Sequence, residues 1–357
     1  GLDLEGLWRT VDALDTEILR CLNERARCAL EIGDIKRANN AVYYVPERER
    51  AVYDKLLREN QGPLTEAAIK AIYREIISAV RALEKPVDVA FLGPRDTFSH
   101  KAALRIFGTH ATYHPVAAVD DIFTEVERFR VDYGVVPVET SMGGGVSDTL
   151  DRFLTSDVKI VNEIMLHIVQ NLLSNSPLDK VTKVYSKSQP FIQCRNWLKA
   201  NLPNAELVET SSTAEAARIA SAEPGAAAIA SDLAAETYNL NILVRGIEDA
   251  SANFTRFFVI GRQLAKPTGN DKTSILCYIK DRPGALYELL TPLREGKINL
   301  TRIESRPSRR KAWDYVFFID LVGHCEDPAV KAALQQLSHY CTELKVLGSF
   351  PGGDLVY

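Results

Sequence analysis

Apolar residues recur at Leu4, Leu7, Val11, Leu14, Ile18 and Cys21, in alternating steps of three and four that define a helical seam of coiled-coil type. The pattern predicts one helix from about Asp3 to about Ala38, on the order of 50 Å long at the usual rise per residue. A domain of this size does not cover such a helix alone. Pairing with a second copy would bury the seam, so a homodimer or higher homo-oligomer is expected. A second stripe, Leu22, Arg25, Ala29, Ile32 and Lys36, shares one face by the i, i+3, i+4 rule and carries two cations among apolar residues. Another helix opens after Pro46, with Arg48 and Glu49 in its first turn. Pro63 and Thr65 introduce a third, whose inward face reads Ile69, Tyr73, Ile76, Val80 and Glu84.

After Pro86 the helical period gives way to short apolar runs. Val87–Leu92 reads as a strand, followed by the turn Gly93-Pro94-Arg95-Asp96-Thr97-Phe98-Ser99 and a helix through Ala102, Ala103 and Ile106. Such a strand–turn–helix offers free backbone N–H groups to an anion. Tyr133–Val138 repeats the strand pattern and opens into Glu139-Thr140-Ser141-Met142-Gly143-Gly144-Gly145, where glycines allow close backbone approach, ahead of a helix near Asp148-Thr149-Leu150. Lys183–Ser186 and Ala226–Ser231 are strands of a second α/β unit, with a hydroxyl-rich helix start at Ser211–Ala217 between them. The chain returns through Gly246–Asp249 to Asn253-Phe254-Thr255-Arg256, which leads into the apolar run Phe257–Ile260. Two α/β units with a return crossing predict two lobes around a cleft. Polar groups at the mouth of a core strand suit an anion site, or else form a strand edge with one solvated arginine.

Lys266–Asp271 is a turn-rich linker. Beyond it the order is strand (Thr273–Ile279), helix (Pro283–Arg294), strand (Ile298–Ile303), strand (Trp313–Leu321), helix (Pro328–Leu337) and strand (Thr342–Leu347). That βαββαβ order predicts an α+β ferredoxin-like sandwich. The basic run Ser308-Arg309-Arg310-Lys311 reads as a solvated hairpin loop.

The 357 residues suffice for two or three domains, and 46% apolar with 25% charged residues is ordinary for a globular chain. A net charge of -4 gives no electrostatic reason to expect nucleic acid or an acidic membrane as partner. No apolar run approaches bilayer length, and the first residues show no signal-peptide pattern. The six cysteines form no CxxC pair or Cys/His cluster, so structural zinc and a disulfide framework are not expected and a reducing cytoplasm fits.

Inward-facing cations in the helical segment need an anion, because buried unpaired charge is costly. Glu49 and Glu84 could supply it, or a bound ligand. Glu24-Arg25-Ala26-Arg27, Gly33-Asp34-Ile35-Lys36, Pro46–Arg50 and Arg74–Ser78 resemble the all-helical (AroQ-type) chorismate mutases. By that resemblance Arg25, Lys36 and Arg48 bind the substrate's carboxylates and ether oxygen, and Glu49 and Glu84 hydrogen-bond its hydroxyl and ether oxygen. A Claisen rearrangement needs no acid, base or nucleophile, only a folded dianion and a stabilised ether oxygen. A carboxyl at Glu84 helps there only when protonated. The family carries an arginine near the start of the first helix that reaches into the partner subunit's site. Here that position is Trp8, with Arg9 about 100° round the helix.

The middle segment resembles the prephenate dehydratases, a two-lobed α/β (periplasmic-binding-protein-like) family. The likeness rests on the Gly93–Ser99 turn, Val136–Glu139, Thr149–Asp151, Ser212–Ala214, Ala228–Ser231 and, most specifically, Asn253–Phe257. It implies a catalytic hydroxyl at Thr255, with Asn253, Arg256 and Phe257 helping to form the pocket. Thr97, Ser99, Glu139, Thr140 and Ser141 come from the facing loops. The reaction, loss of carbon dioxide and water from prephenate, calls for neither metal nor organic cofactor. This sequence has Asp96 where the family has glycine, Thr140 where it has asparagine, and Lys187-Ser188 where it has His-Pro. Asp96 is thus expected to add negative charge near a dianion, and Lys187 positive charge.

The last segment resembles ACT regulatory domains. Arg282–Leu286 and Ile303–Pro307 match phenylalanine-binding motifs, which implicates Gly284, Ala285, Leu286, Glu304, Ser305 and Arg306, with Asn299 beside the matching strand. The expected domains are 1–86, 87–266 and 272–357. Their order resembles the bifunctional P-proteins of phenylalanine biosynthesis, which act on chorismate and prephenate and answer to L-phenylalanine. Two other readings stand beside it: a working dehydratase with a helical domain kept for dimerisation and regulation, and a non-catalytic amino-acid-sensing protein.

Overall fold

The computed structural model describes residues 3–41, 44–311, 314–353 and 355–356. It divides into two compact units, residues 1–87 with 107–112, and residues 88–106 with 113–357. In the first unit the seam expected from the sequence is one helix, α1 (Leu4–Ala38), followed by α2 (Pro46–Glu59) and α3 (Glu66–Glu84). Thr65 caps α3 by accepting from Ala68 N–H at 3.2 Å. Helix α3 packs on both others. At Gly33 of α1 a β-carbon would lie 2.6 and 2.7 Å from the two carboxylate oxygens of Glu84, so the glycine lets α3 bring that carboxyl onto the α1 backbone. The outward seam of α1 stays uncovered, with Leu4, Leu7, Trp8, Val11, Leu14 and Ile18 all exposed.

In the second unit the first lobe runs β1 (Asp88–Leu92), α4 (Phe98–Phe107), β2 (Thr112–Val116), α5 (Val119–Glu127), β3 (Tyr133–Thr140), β4 (Gly144–Gly145), α6 (Ser147–Phe153) and β5 (Lys159–His167). The chain crosses to the second lobe as β6 (Asn171–Ser174), β7 (Lys183–Ser186), α7 (Ser188–Gln193), α8 (Arg195–Asn201), β8 (Glu206–Glu209), α9 (Thr213–Ala222), β9 (Ala226–Ala230), α10 (Asp232–Thr237) and β10 (Asn241–Val244). It then returns as β11 (Phe254–Gly261), inserted between β5 and β3 and antiparallel to both. The second lobe's sheet has the order β10-β6-β9-β7-β8.

The C-terminal segment is β12 (Asp271–Ile279), α11 (Ala285–Glu295), β13 (Leu300–Pro307), β14 (Tyr315–Val322), α12 (Pro328–Leu337) and β15 (Glu343–Pro351). Its sheet order, β13-β14-β12-β15, is the ferredoxin-like one the sequence predicted. Trp313, expected to begin the third strand of this module, lies outside the described residues. A last short strand, β16 (Leu355–Val356), joins β5 in parallel, giving the first lobe's sheet the order β16-β5-β11-β3-β1-β2. One face of the C-terminal sheet packs on α11 and α12 through Ile275, Cys277, Ile319 and Leu321. The other face, with Leu276, Phe318 and Phe350, shares a core with Val136, Phe258 and Ile260 of the first lobe. At Gly348 of β15 a β-carbon would sit 2.7 Å from the backbone nitrogen of Ile160 in β5.

Candidate functional site

Strand direction decides which residues meet. Parallel β1 and β3 end at the same sheet edge where antiparallel β11 begins and β5 ends. The loops holding Thr97, Ser99, Thr140, Ser141, Asn253 and Thr255 therefore gather along one edge of the first lobe. Thr255 pairs with Thr140 across the strands, so the two side chains share a face. Ser141 fixes the loop: its N–H donates to Phe254 C=O and its hydroxyl bridges Phe254 N–H and Ala252 C=O. The Thr140 hydroxyl accepts from Gly143 N–H at 2.9 Å. Thr97 caps α4, its hydroxyl 3.1 Å from Pro94 C=O and 3.4 Å from His100 N–H. Phe257 is fully buried beneath. The Thr255 hydroxyl meets no protein partner among the described residues.

In the second lobe parallel β7, β8 and β9 end beside the start of β6, which brings Ser186, Lys187, Ser212, Ser231 and Asn171 to the matching edge. Between the lobes pass only two crossovers, His167 to Asn171 and Val244 to Phe254. Here sequence reasoning missed two residues. Gln170 and Asn171 are 3% and 2% exposed, yet Gln170 Oε1 and Asn171 Oδ1 have no hydrogen-bond partner, and neither has Asn253 Nδ2. Buried amide atoms without partners are rare and costly, so three at one hinge point to a polar ligand. The signal was available: two adjacent amides stand between the apolar pairs Ile168-Val169 and Leu172-Leu173.

Two expectations need correction. Arg256 and Glu139 do not join Thr255. Successive strand residues face opposite sides, and Arg256 points into the C-terminal sheet. Its guanidinium pairs with Glu163 (Nη2–Oε2 2.5 Å) and with Asp320, and lies 4.6 Å from the Phe258 ring centre. Glu139, opposite Arg256 on β3, meets Arg302 at 3.3 Å. Burial alone would push the Glu163 carboxyl up, but the Arg256 and Lys272 charges outweigh it and hold it below its ordinary value.

Asp96 occupies the family's glycine position because its φ is +68°, a left-handed geometry that Asp tolerates better than most. Its N–H donates to His100 Nδ1 at 3.0 Å and its C=O accepts from the Ser231 hydroxyl at 3.1 Å. One residue thus bridges the two lobes, seconded by the ion pair of Lys101 with Asp232 at 2.7 Å. The Asp96 side chain is buried, 3.8 Å from the His100 ring nitrogen, rather than presented to the cleft as expected.

In the helical unit Arg25 and Arg48 line a cavity of about 270 Å³ with Val52, Leu56, Glu59 and Tyr73. Neither they nor Lys36 form an ion pair among the described residues. Glu49 is engaged instead by Arg81, whose guanidinium also lies 5.3 Å from the Tyr44 ring centre. Burial raises the Glu84 carboxyl above its ordinary value, against the pull of Lys36 and Arg37.

The C-terminal motif residues divide. Gly284, at φ +78°, starts α11 at the end of β12, and register places Pro307 at that same end of the sheet, with Ala285, Leu286 and Ser305 close in sequence. Asn299 lies at the opposite end, about 20 Å away at the usual rise of a strand. Glu304 and Arg306 face the first lobe, where Glu304 pairs with Arg302 at 2.5 Å and Arg306 with Asp151 at 2.7 Å. Alternation again decides: in β13 every second residue is turned inward.

Two lobes with hydroxyls and open amide atoms at the hinge thus lie beside a ferredoxin-like module that shares the first lobe's core. Family models match in the same order: Chorismate mutase type II over residues 7–85, Prephenate dehydratase over 89–265 and ACT domain over 273–339. The bifunctional chorismate mutase/prephenate dehydratase of Aquifex aeolicus is 52% identical over 354 residues, 98% of each chain. That of Stutzerimonas stutzeri is 47% identical over 355 residues, 98% of this chain and 97% of its own. Among solved structures, prephenate dehydratase from Arthrobacter aurescens in complex with L-Phe is 34% identical with a TM-score of 0.69, covering 74% of this chain and 90% of that one. GqqA, described as a quorum quenching acylase, is 28% identical with a TM-score of 0.68, covering 74% and 98%. The chain belongs to the bifunctional chorismate mutase/prephenate dehydratase family, as its sequence motifs had suggested. Because the scaffold also occurs in an acylase, the reaction has to be argued from side chains.

Proposed function

We propose that the chain rearranges chorismate to prephenate in its helical unit, converts prephenate to phenylpyruvate in the cleft, and is inhibited by L-phenylalanine acting on the C-terminal domain. The observation that carries the cleft reaction is the unpartnered Thr255 hydroxyl beside Thr140, with the open amides of Asn253, Gln170 and Asn171 at the hinge. In the reaction the ring carboxylate leaves as carbon dioxide, its bonding electrons enter the ring, and the ring hydroxyl departs as water. Aromatisation drives this, so the protein must hold a dianion and assist the leaving hydroxyl. Thr255 serves as a positioned hydrogen-bond donor or proton relay, since a threonine hydroxyl is a poor free acid. The open Asn253 Nδ2 and the backbone N–H groups of the loops suit the substrate's carboxylates, and the open oxygens Gln170 Oε1 and Asn171 Oδ1 suit its hydroxyl. Thr255→Ala should abolish phenylpyruvate formation while chorismate consumption and phenylalanine binding persist. Retained phenylpyruvate formation in that variant, or a wild-type chain that binds prephenate without converting it, would overturn this reading.

In the helical unit Arg25 and Arg48 would hold the carboxylates of chorismate, and protonated Glu84 its ether oxygen. The exposed apolar seam of α1 supports a homodimer, and six free thiols suit a reducing cytoplasm. One observation favours a second reading, in which only the dehydratase works. Trp8 is 60% exposed, and Arg9 extends from α1 towards Asp3 rather than replacing the family's arginine.

A further inference from the structure

Arg256 is the neighbour of Thr255, yet its side chain lies on the other side of the sheet, in a closed set of charges that the dehydratase reaction does not use. Glu163 of β5 has a fully buried side chain and receives Arg256, Lys272 Nζ at 2.8 Å and Gly353 N–H at 2.8 Å. Asp320 of β14 receives the other arm of Arg256 and the Ser274 hydroxyl, the latter at 2.5 Å. Arg256 and Lys272 face these two carboxylates, and Arg256 also lies 3.9 Å from Glu139, so the charges hold one another in place. Well-packed apolar residues could fill such a place with comparable stability, so the cluster's use is geometric. The adjoining strand repeats the arrangement. Thr140 faces the cleft, while its neighbour Glu139 reaches Arg302 of β13, which pairs in turn with Glu304.

Both strands that present cleft hydroxyls are therefore tied, one residue away, to the C-terminal sheet. A strand is too stiff to move one residue without the next. We propose that the Asp320–Arg256 and Arg302–Glu139 contacts are the coupling through which the C-terminal domain acts on the dehydratase site. Arg256 and Asp320 meet no substrate and link the C-terminal sheet to β11. This rests on the dehydratase and phenylalanine readings above.

The test compares wild type, Asp320→Asn and Arg309→Ala in the full-length chain. Arg309 pairs with Asp151 across the same border but touches neither strand of the cleft. Prephenate turnover is measured over a phenylalanine titration, and phenylalanine binding separately by calorimetry. Asp320→Asn should bind phenylalanine and turn over prephenate within about threefold of wild type, but need at least tenfold more phenylalanine for half-inhibition. Arg309→Ala should be inhibited like wild type. Unchanged inhibition of Asp320→Asn overturns the proposal, as does a parallel loss of phenylalanine binding, which would make Asp320 part of the effector site. If Asp320→Asn shows no cooperative thermal transition, Ser274→Ala decides. That variant must raise the half-inhibiting concentration at least threefold with binding intact, or the proposal falls. A wild type that converts prephenate but ignores phenylalanine sinks the regulatory reading and this coupling together. A wild type that does not convert prephenate sinks the dehydratase reading itself, and the two failures are told apart before any variant is read.

Discussion

In the helical unit Arg25 and Arg48 border a cavity that Glu59 also lines and form no ion pair among the described residues, whereas Arg256 in the two-lobed unit lies among Glu163, Asp320 and Glu139. Both kinds of arginine occur in motifs of a dianion-binding family, and by sequence both look like ligands for substrate. The difference lies in who neutralises the charge. A cation withdrawn from water needs an anion. Where the fold supplies it, the cation is part of the framework. Where the fold leaves a cavity instead, the anion has to come from solution.

The sharpest way to break this contrast is to delete one arginine of each kind. Arg25→Ala should lower kcat/KM for chorismate by about a hundredfold to a thousandfold, the range for losing a buried charge-assisted contact, and leave thermal stability little changed. Arg256→Ala should destabilise the two-lobed unit by about 3–5 kcal/mol, because it strands buried carboxylates. Denaturant unfolding beside both assays checks the pair, and a stable Arg256→Ala or an unstable Arg25→Ala would erase the distinction. Next in size, Trp8→Arg should raise chorismate turnover tenfold or more if the missing cation is what limits the helical site. An unchanged rate rejects that explanation.

Two smaller effects follow from the carboxyls. The Glu84 carboxyl is raised above its ordinary value, and the role proposed for it requires its protonated form. Mutase activity should thus decline as pH rises through that raised pKa, and Glu84→Gln should flatten the decline. Glu163 has the opposite sign. Its folded-state pKa lies below the ordinary 4.5, so its contribution to stability is present above about that pH and is lost as pH falls through the lower folded value. Glu163→Gln should be less stable than wild type near neutrality and lose less on acidification. Equal loss in the two proteins would contradict the assignment.

Helix α1 was legible because its apolar positions keep a helical period, and the C-terminal module because its elements follow one another in a βαββαβ order marked by turn residues. The cleft was legible through short motifs at loop ends. Which face Arg256 takes was not. The run from Phe257 to Ile260 is apolar at every position, since β11 is buried on both sides, and such a run carries no alternation to say which side a neighbour occupies. Its partner Asp320 lies 64 residues further on, a separation no local pattern reports. Glu49 shows the same limit, for nothing in the spacing predicts that Arg81 would take it. Gln170 and Asn171 differ, because two adjacent amides between the apolar pairs Ile168-Val169 and Leu172-Leu173 are a local signal.

Gly348 bears on how such a molecule can move. A β-carbon there would overlap the backbone of Ile160, so the C-terminal sheet rests on β5 with no side chain between. A border without slack transmits rather than absorbs. A tilt of β15 therefore reaches β5 through the backbone, alongside the side-chain contacts that Arg256 and Glu139 make with the C-terminal sheet.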